Sequence, residues 1–132
     1  MWIDGDGEAC QLIDERGERV DGRAVFMLLA RYVCREQPGA AIVLEPAAGV
    51  EFGRSLERLG ARVCRGQSTR QGMFEQMEST GALVGGGTSG RYWYAGPPAM
   101  PDALLSLSLL VSIQSQSDRP LSEVLDAACA AG

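Results

Sequence analysis

The clearest hydrophobic signal in the chain is the unbroken apolar run from Ala40 to Leu44, the mark of a strand covered on both faces. Before it, Val25, Leu28, Leu29, Tyr32 and Val33 recur at helical spacing, which predicts a helix from Gly22 to Arg35. Asp21 can cap that helix and Pro38-Gly39 ends it. After the run, Val50 to Leu59 predicts a second helix, stopped at Gly60. Ala61 to Cys64 reads as a short strand, Gln71 to Glu78 as a weaker helix, and Ala82 to Val84 as a strand running into glycines. Tyr92 to Tyr94 is the last predicted strand. Asp102 can cap a long helix to Gln114, and a final helix, Leu121 to Ala130, follows the polar break QSQSD. Upstream, Ala9 to Asp14 alternates as a strand, Glu15 to Gly17 turns it, and Glu18 to Val20 returns. Strands alternating with helices at this pace imply an α/β domain: a three-layer α/β/α sandwich with a mixed, mostly parallel sheet. The opening hairpin is expected to supply the antiparallel part.

Composition narrows the chemistry more than the fold. A chain of 132 residues suits one domain with its own core. The net charge of −5 argues against nucleic acid or an anionic membrane as the main partner. There is no histidine, and Cys10, Cys34, Cys64 and Cys129 are far apart, so a C-x-x-C zinc or redox site and a histidine base are excluded. The lone thiols lie in apolar stretches and are expected to be buried, reduced core residues. The apolar stretch Ala103 to Ile113 is broken by Ser106, Ser108 and Ser112 and is too short to span a bilayer. With an acidic, polar start that reads as no secretory leader, the expectation is a cytoplasmic domain.

Two glycine-rich stretches carry candidate chemistry. Near the start, Asp4, Asp6 and Glu8 alternate with Gly5 and Gly7. Carboxylates held close repel one another unless a cation sits among them, so the pattern suggests oxygen ligands for a divalent metal. An EF-hand does not fit: Glu15 falls at position twelve, but Ala9 stands where the loop needs glycine, and only three residues precede it. A solvated acidic turn, or a magnesium-type loop shared with other protein groups, remain. The second stretch, GGGTSG, matches G-x-G-x-x-G at Gly85, Gly87 and Gly90. It is followed by RYWYAGPP rather than a helix and lacks G-K-[ST], so neither nucleotide motif applies. That leaves a plain turn, or a loop whose bare backbone approaches a polar ligand with Thr88, Ser89 and Arg91 as donors. Tyr92, Trp93 and Tyr94 could stack on a sugar or fill the core. Glu45 and Asp102 are further possible ligands, with Asp102 also the helix cap.

The order of these features is that of a known family. An acidic D-G-D-G loop, the hairpin LIDERGERVDG, an α/β run to a G-G-x-x-S-G loop, a "DA" helix and the tail RPLSEVLDA together resemble the alpha-D-phosphohexomutases, the phosphoglucomutase and phosphomannomutase enzymes. The resemblance covers the whole chain and matches the third of the family's four domains. It implies that residues 1–8 are an acidic metal-type loop from the boundary of domains II and III, and 9–132 a single α/β/α domain. It implies that Asp4, Asp6 and Glu8 face Mg²⁺ held against a phosphoserine elsewhere in a longer parent. Gly86, Gly87, Thr88, Ser89, Gly90 and Arg91 would then grip a hexose phosphate. The parent would be an isomerase of carbohydrate metabolism that exchanges phosphoryl groups within its sugar, with the neighbouring domains as partners.

Four positions depart from the family pattern. Glu8 replaces an aspartate, Ala9 an arginine, Gly87 the sugar-gripping glutamate and Arg91 a histidine. No catalytic residue is expected in this chain, which should be inactive alone and bind magnesium weakly. The alternative is a diverged, non-catalytic binding or assembly module of the same fold.

Overall fold

The computed structural model describes residues 1–131. Two short strands open the chain: β1 (Trp2–Ile3) pairs antiparallel with β2 (Cys10–Gln11) in a sheet of their own. Helix α1 (Gly22–Glu36) follows, and the Asp21 carboxylate accepts from the Arg23 amide at 2.8 Å, satisfying one of the free N–H groups of its first turn. Then come β3 (Ala41–Leu44), α2 (Val50–Arg58), β4 (Arg62–Arg65), α3 (Arg70–Thr80) and β5 (Val84–Gly86). Two-residue strands β6 (Trp93–Tyr94) and β7 (Met100–Pro101) lead to α4 (Ala103–Ser115), capped by Asp102, and α5 (Leu121–Ala131).

The five-stranded sheet runs β4-β3-β5-β6-β7. β3 is parallel to both β4 and β5, whereas β5-β6 and β6-β7 are antiparallel. The chain leaves β3 through α2 to reach β4 on one side, then returns through α3 to β5 on the other. Right-handed crossovers in opposite directions place α2 and α3 on opposite faces. The core divides accordingly. Ile42, Leu44 and Val84 face a large cluster with Phe26, Leu29, Leu56, Leu110 and Leu125. Ala41, Val43 and Trp93 face a smaller one with Met73 and Met77 of α3. β3 is buried at all four positions because both faces are covered, as its apolar run implied.

Three expectations are corrected. The opening hairpin does not make the sheet mixed; β6 and β7 do. The segment Glu18–Val20 does return beside Leu12–Asp14, but as a single bridge, Ile13 to Arg19, flanked by two backbone hydrogen bonds. Its turn is held by the Asp14 carboxylate, which accepts from the amides of Arg16 and Glu18 and bonds the Arg16 guanidinium, so side-chain bonds stand in for a longer ladder. Of the cysteines, Cys10 and Cys34 are buried, but Cys64 is half-buried on edge strand β4 and Cys129 is exposed on α5.

Candidate functional site

β3 and β5 lie side by side, parallel, and send the chain in opposite directions along the sheet. A crevice opens outside the carboxyl ends of such a strand pair, and in open α/β sheets ligands bind there. Glu45 leaves β3 at this point, and the glycine loop leaves β5. The two are joined: the Glu45 amide donates to the Gly86 carbonyl at 2.8 Å. The Glu45 carboxylate accepts from the Ser89 amide at 3.1 Å and from the Ser89 hydroxyl at 2.5 Å. That hydroxyl in turn accepts from the Arg91 amide.

The glycines of the loop do different things. Gly86 belongs to β5, where a Cβ would meet the rings of Phe26 and Tyr92 at 2.9–3.0 Å, so its bareness serves the core. At Gly87 a Cβ would stand 2.8 Å from a Glu45 carboxylate oxygen. The space where a side chain at 87 would begin is thus taken by the carboxylate of Glu45. Gly90 has φ +83 and lies so close to the Cys10 carbonyl that a Cβ would come within 2.6 Å of its oxygen. Thr88 lies over the start of α1, its carbonyl against Gly22. Tyr92 and Trp93 are buried and Tyr94 partly so, which makes them core rather than sugar platforms. Asp102 is a helix cap.

The opening acidic loop lies beside this glycine loop. The Cys10 amide donates to the Gly90 carbonyl at 3.0 Å, Ala9 bridges Arg91, and the Ala103 amide at the start of α4 donates to the Gly7 carbonyl. Within the loop, Asp4 accepts from the amides of Glu8 and Ala9, and Asp6 from that of Glu8. A hydrogen bond with the Asp6 carboxyl, then those amides, hold Asp4 below its ordinary pKa.

The Glu8 carboxylate is engaged by arginines. One of its oxygens takes Arg70 Nη2 at 2.5 Å, the other Arg70 Nε at 3.3 Å, with Arg91 Nε 3.6 Å away. Arg70 itself lies 5.8 Å from the Trp93 ring centroid. Among the described residues, no three His, Cys, Asp or Glu side chains are grouped so as to hold a metal ion. The donor set therefore does not fit Mg²⁺, which demands near-octahedral oxygens at about 2.1 Å, and no chemistry is assigned to a metal here. Arg70 escapes a reading of the sequence because its partner is 62 residues away.

The Arg70 guanidinium holds the Glu8 carboxyl below the ordinary glutamate range. A lowered folded-state value adds stability above the unfolded pKa of about 4.3, and that stability is lost as pH falls through the folded value. Glu8→Gln is therefore expected to flatten the loss of stability below pH of about 4, read as urea midpoints across the acid range. An unchanged acid limb would show that the pair contributes nothing.

Residues 21–131 match the family model described as phosphoglucomutase/phosphomannomutase, alpha/beta/alpha domain III. The chain is 32% identical over 130 residues to the phosphoglucosamine mutase of Moorella thermoacetica, covering 94% of this chain and 28% of that protein. It is 27% identical over 131 residues to the phosphoglucosamine mutase of Oceanobacillus iheyensis, covering 96% and 29%. A crystal structure of a phosphoglucomutase/phosphomannomutase family protein from Burkholderia thailandensis superposes with a TM-score of 0.85 at 22% identity, over 95% of this chain and 27% of that one. The chain thus spans little more than a quarter of the length of these relatives.

Proposed function

Because this chain belongs to the phosphoglucomutase/phosphomannomutase family as its α/β/α domain III, we propose that it is the sugar-phosphate-recognising domain of a longer hexose-phosphate isomerase. The observation that carries this reading is the Glu45 carboxylate just past the carboxyl end of β3, lodged against Gly87 and braced by Ser89. Each of its oxygens takes one bond from Ser89, and a carboxylate offers about four lone-pair sites, so capacity remains for ligand hydroxyls. A hydroxyl donating to a carboxylate makes a charge-assisted bond worth roughly 1.5–3 kcal/mol. Glu45 thereby supplies, from the neighbouring strand, the carboxylate that Gly87 lacks. Arg91, half-exposed beside the loop, is the phosphate contact, and Thr88 a further hydroxyl donor. The names of the relatives make phosphorylated glucosamine the first ligand to try, with glucose and mannose phosphates beside it.

On this reading the group that moves the phosphoryl lies in the rest of the parent, so the isolated chain should bind without turnover. NMR titration with glucosamine 6-phosphate should shift the amides of Gly87 to Arg91. Glu45→Gln should weaken binding by about tenfold. No shift at these amides at saturating sugar phosphate would sink the reading. A second reading, a non-catalytic module of the same fold, is favoured by one observation: both oxygens of Glu8 are engaged by Arg70. The full-length parent separates the two, since a mutase assay on it must show turnover for the first.

A further inference from the structure

We propose that Arg70 is a built-in counterion for the acidic loop, its guanidinium doing there what a divalent cation would do, so that the loop closes and holds its shape without metal. Three acids close together need positive charge. Here Arg70 grips Glu8 through two different nitrogens on two different oxygens, and Arg91 adds a second guanidinium at 3.6 Å. A forked arginine–carboxylate pair is directional as well as strong. It takes Glu8 out of any set shared with Asp4 and Asp6, and it leaves the loop region with two positive groups against three negative ones.

The arginine is held in place from its own side. It is the first residue of α3, whose start is fixed by the Thr69 hydroxyl accepting from Gly72 at 2.9 Å. Its guanidinium lies over Trp93, which is buried in β6. The loop is held from the other side. Asp4 takes the amides of Glu8 and Ala9, and the Gly7 carbonyl takes the Ala103 amide of α4. The ion pair therefore clasps two segments 62 residues apart, each also held by bonds of its own. A divalent ion entering here would have to break the pair and approach two arginines.

The test titrates Mn²⁺, read by the loss of its free electron-paramagnetic signal, into the chain and into Arg70→Gln. The chain should show no saturable binding up to about 5 mM, and EDTA should leave its melting temperature unchanged. Arg70→Gln, on the exposed first turn of α3, should bind at least about tenfold more tightly, because Glu8 is released to join Asp4 and Asp6. Saturable binding by the unaltered chain anywhere up to about 5 mM overturns the proposal, as does an Arg70→Gln variant that folds by circular dichroism yet binds no better. Should that variant fail to fold, Arg70→Lys, which keeps the charge and loses the fork, decides by the same readout. Sugar-phosphate binding is measured without metal, so the two readings fail separately.

Discussion

Gly90→Ala is expected to cost about 3–4 kcal/mol, roughly 10 °C or more of melting temperature for a domain of this size. Two penalties fall on one atom. The backbone has φ +83, where an L side chain is strained, and the new Cβ would lie 2.6 Å from the Cys10 carbonyl oxygen. The neighbour cannot retreat, because the Cys10 amide is hydrogen-bonded to the Gly90 carbonyl at 3.0 Å and Ala9 bridges Arg91. Gly60 separates the penalties: its φ is +95, but nothing lies within 4 Å of a Cβ there. Gly60→Ala should cost only the conformational part, about 1–2 kcal/mol. Urea unfolding of the two variants checks this. Equal losses would mean that the contact with Cys10 is not rigid and that the glycine loop is free to move off the opening segment.

Phe26→Ala should be of similar size, about 3–5 kcal/mol. Phe26 is fully buried, 0% exposed, where α1, α2 and β5 meet. Its ring lies 6.1 Å from that of Tyr92, tilted only 7°, and 6.4 Å from that of Phe52. It also fills the space over Gly86, so its removal hollows the ground beneath the candidate site. Phe26→Leu, which keeps most of the volume, should cost less than about 1.5 kcal/mol. A loss below that figure for the alanine variant would show that the cluster collapses to fill the hole. Amide shifts in Gly86 to Arg91 would report whether the loop moves with it.

How far each feature was legible follows from the distance over which its cause acts. Asp21, Thr69 and Asp102 start helices through bonds to amides two or three residues on, and the sequence shows such causes directly at Asp21 and Asp102. The buried strand announces itself because both faces of Ala41–Leu44 need apolar residues. β6 lies within the predicted Tyr92–Tyr94 strand, but β7 and the Trp2–Ile3 strand are two residues each, too short for periodicity. Neighbouring segments decide their pairing. The site is harder still. The glycine loop stands out as composition, but its carboxylate comes from Glu45, 44 residues before Ser89. Arg70 reaches Glu8 across 62. No spacing rule joins such pairs, because the sheet order brings them together.

The two ends of the five-stranded sheet also bear on how copies of the chain meet at high concentration. An outermost strand is an open row of amides and carbonyls on which a second copy could continue the pairing. Here one end, β4, reads Arg-Val-Cys-Arg, with exposed arginines at both limits. The other end, β7, is two residues long, and one of them is proline, which has no N–H to give. Charge at one margin and a missing donor at the other leave an incoming strand with repulsion or with nothing to hold. The sheet therefore resists growing into a fibre from either side, even though its middle strand is as apolar as any segment that would build one.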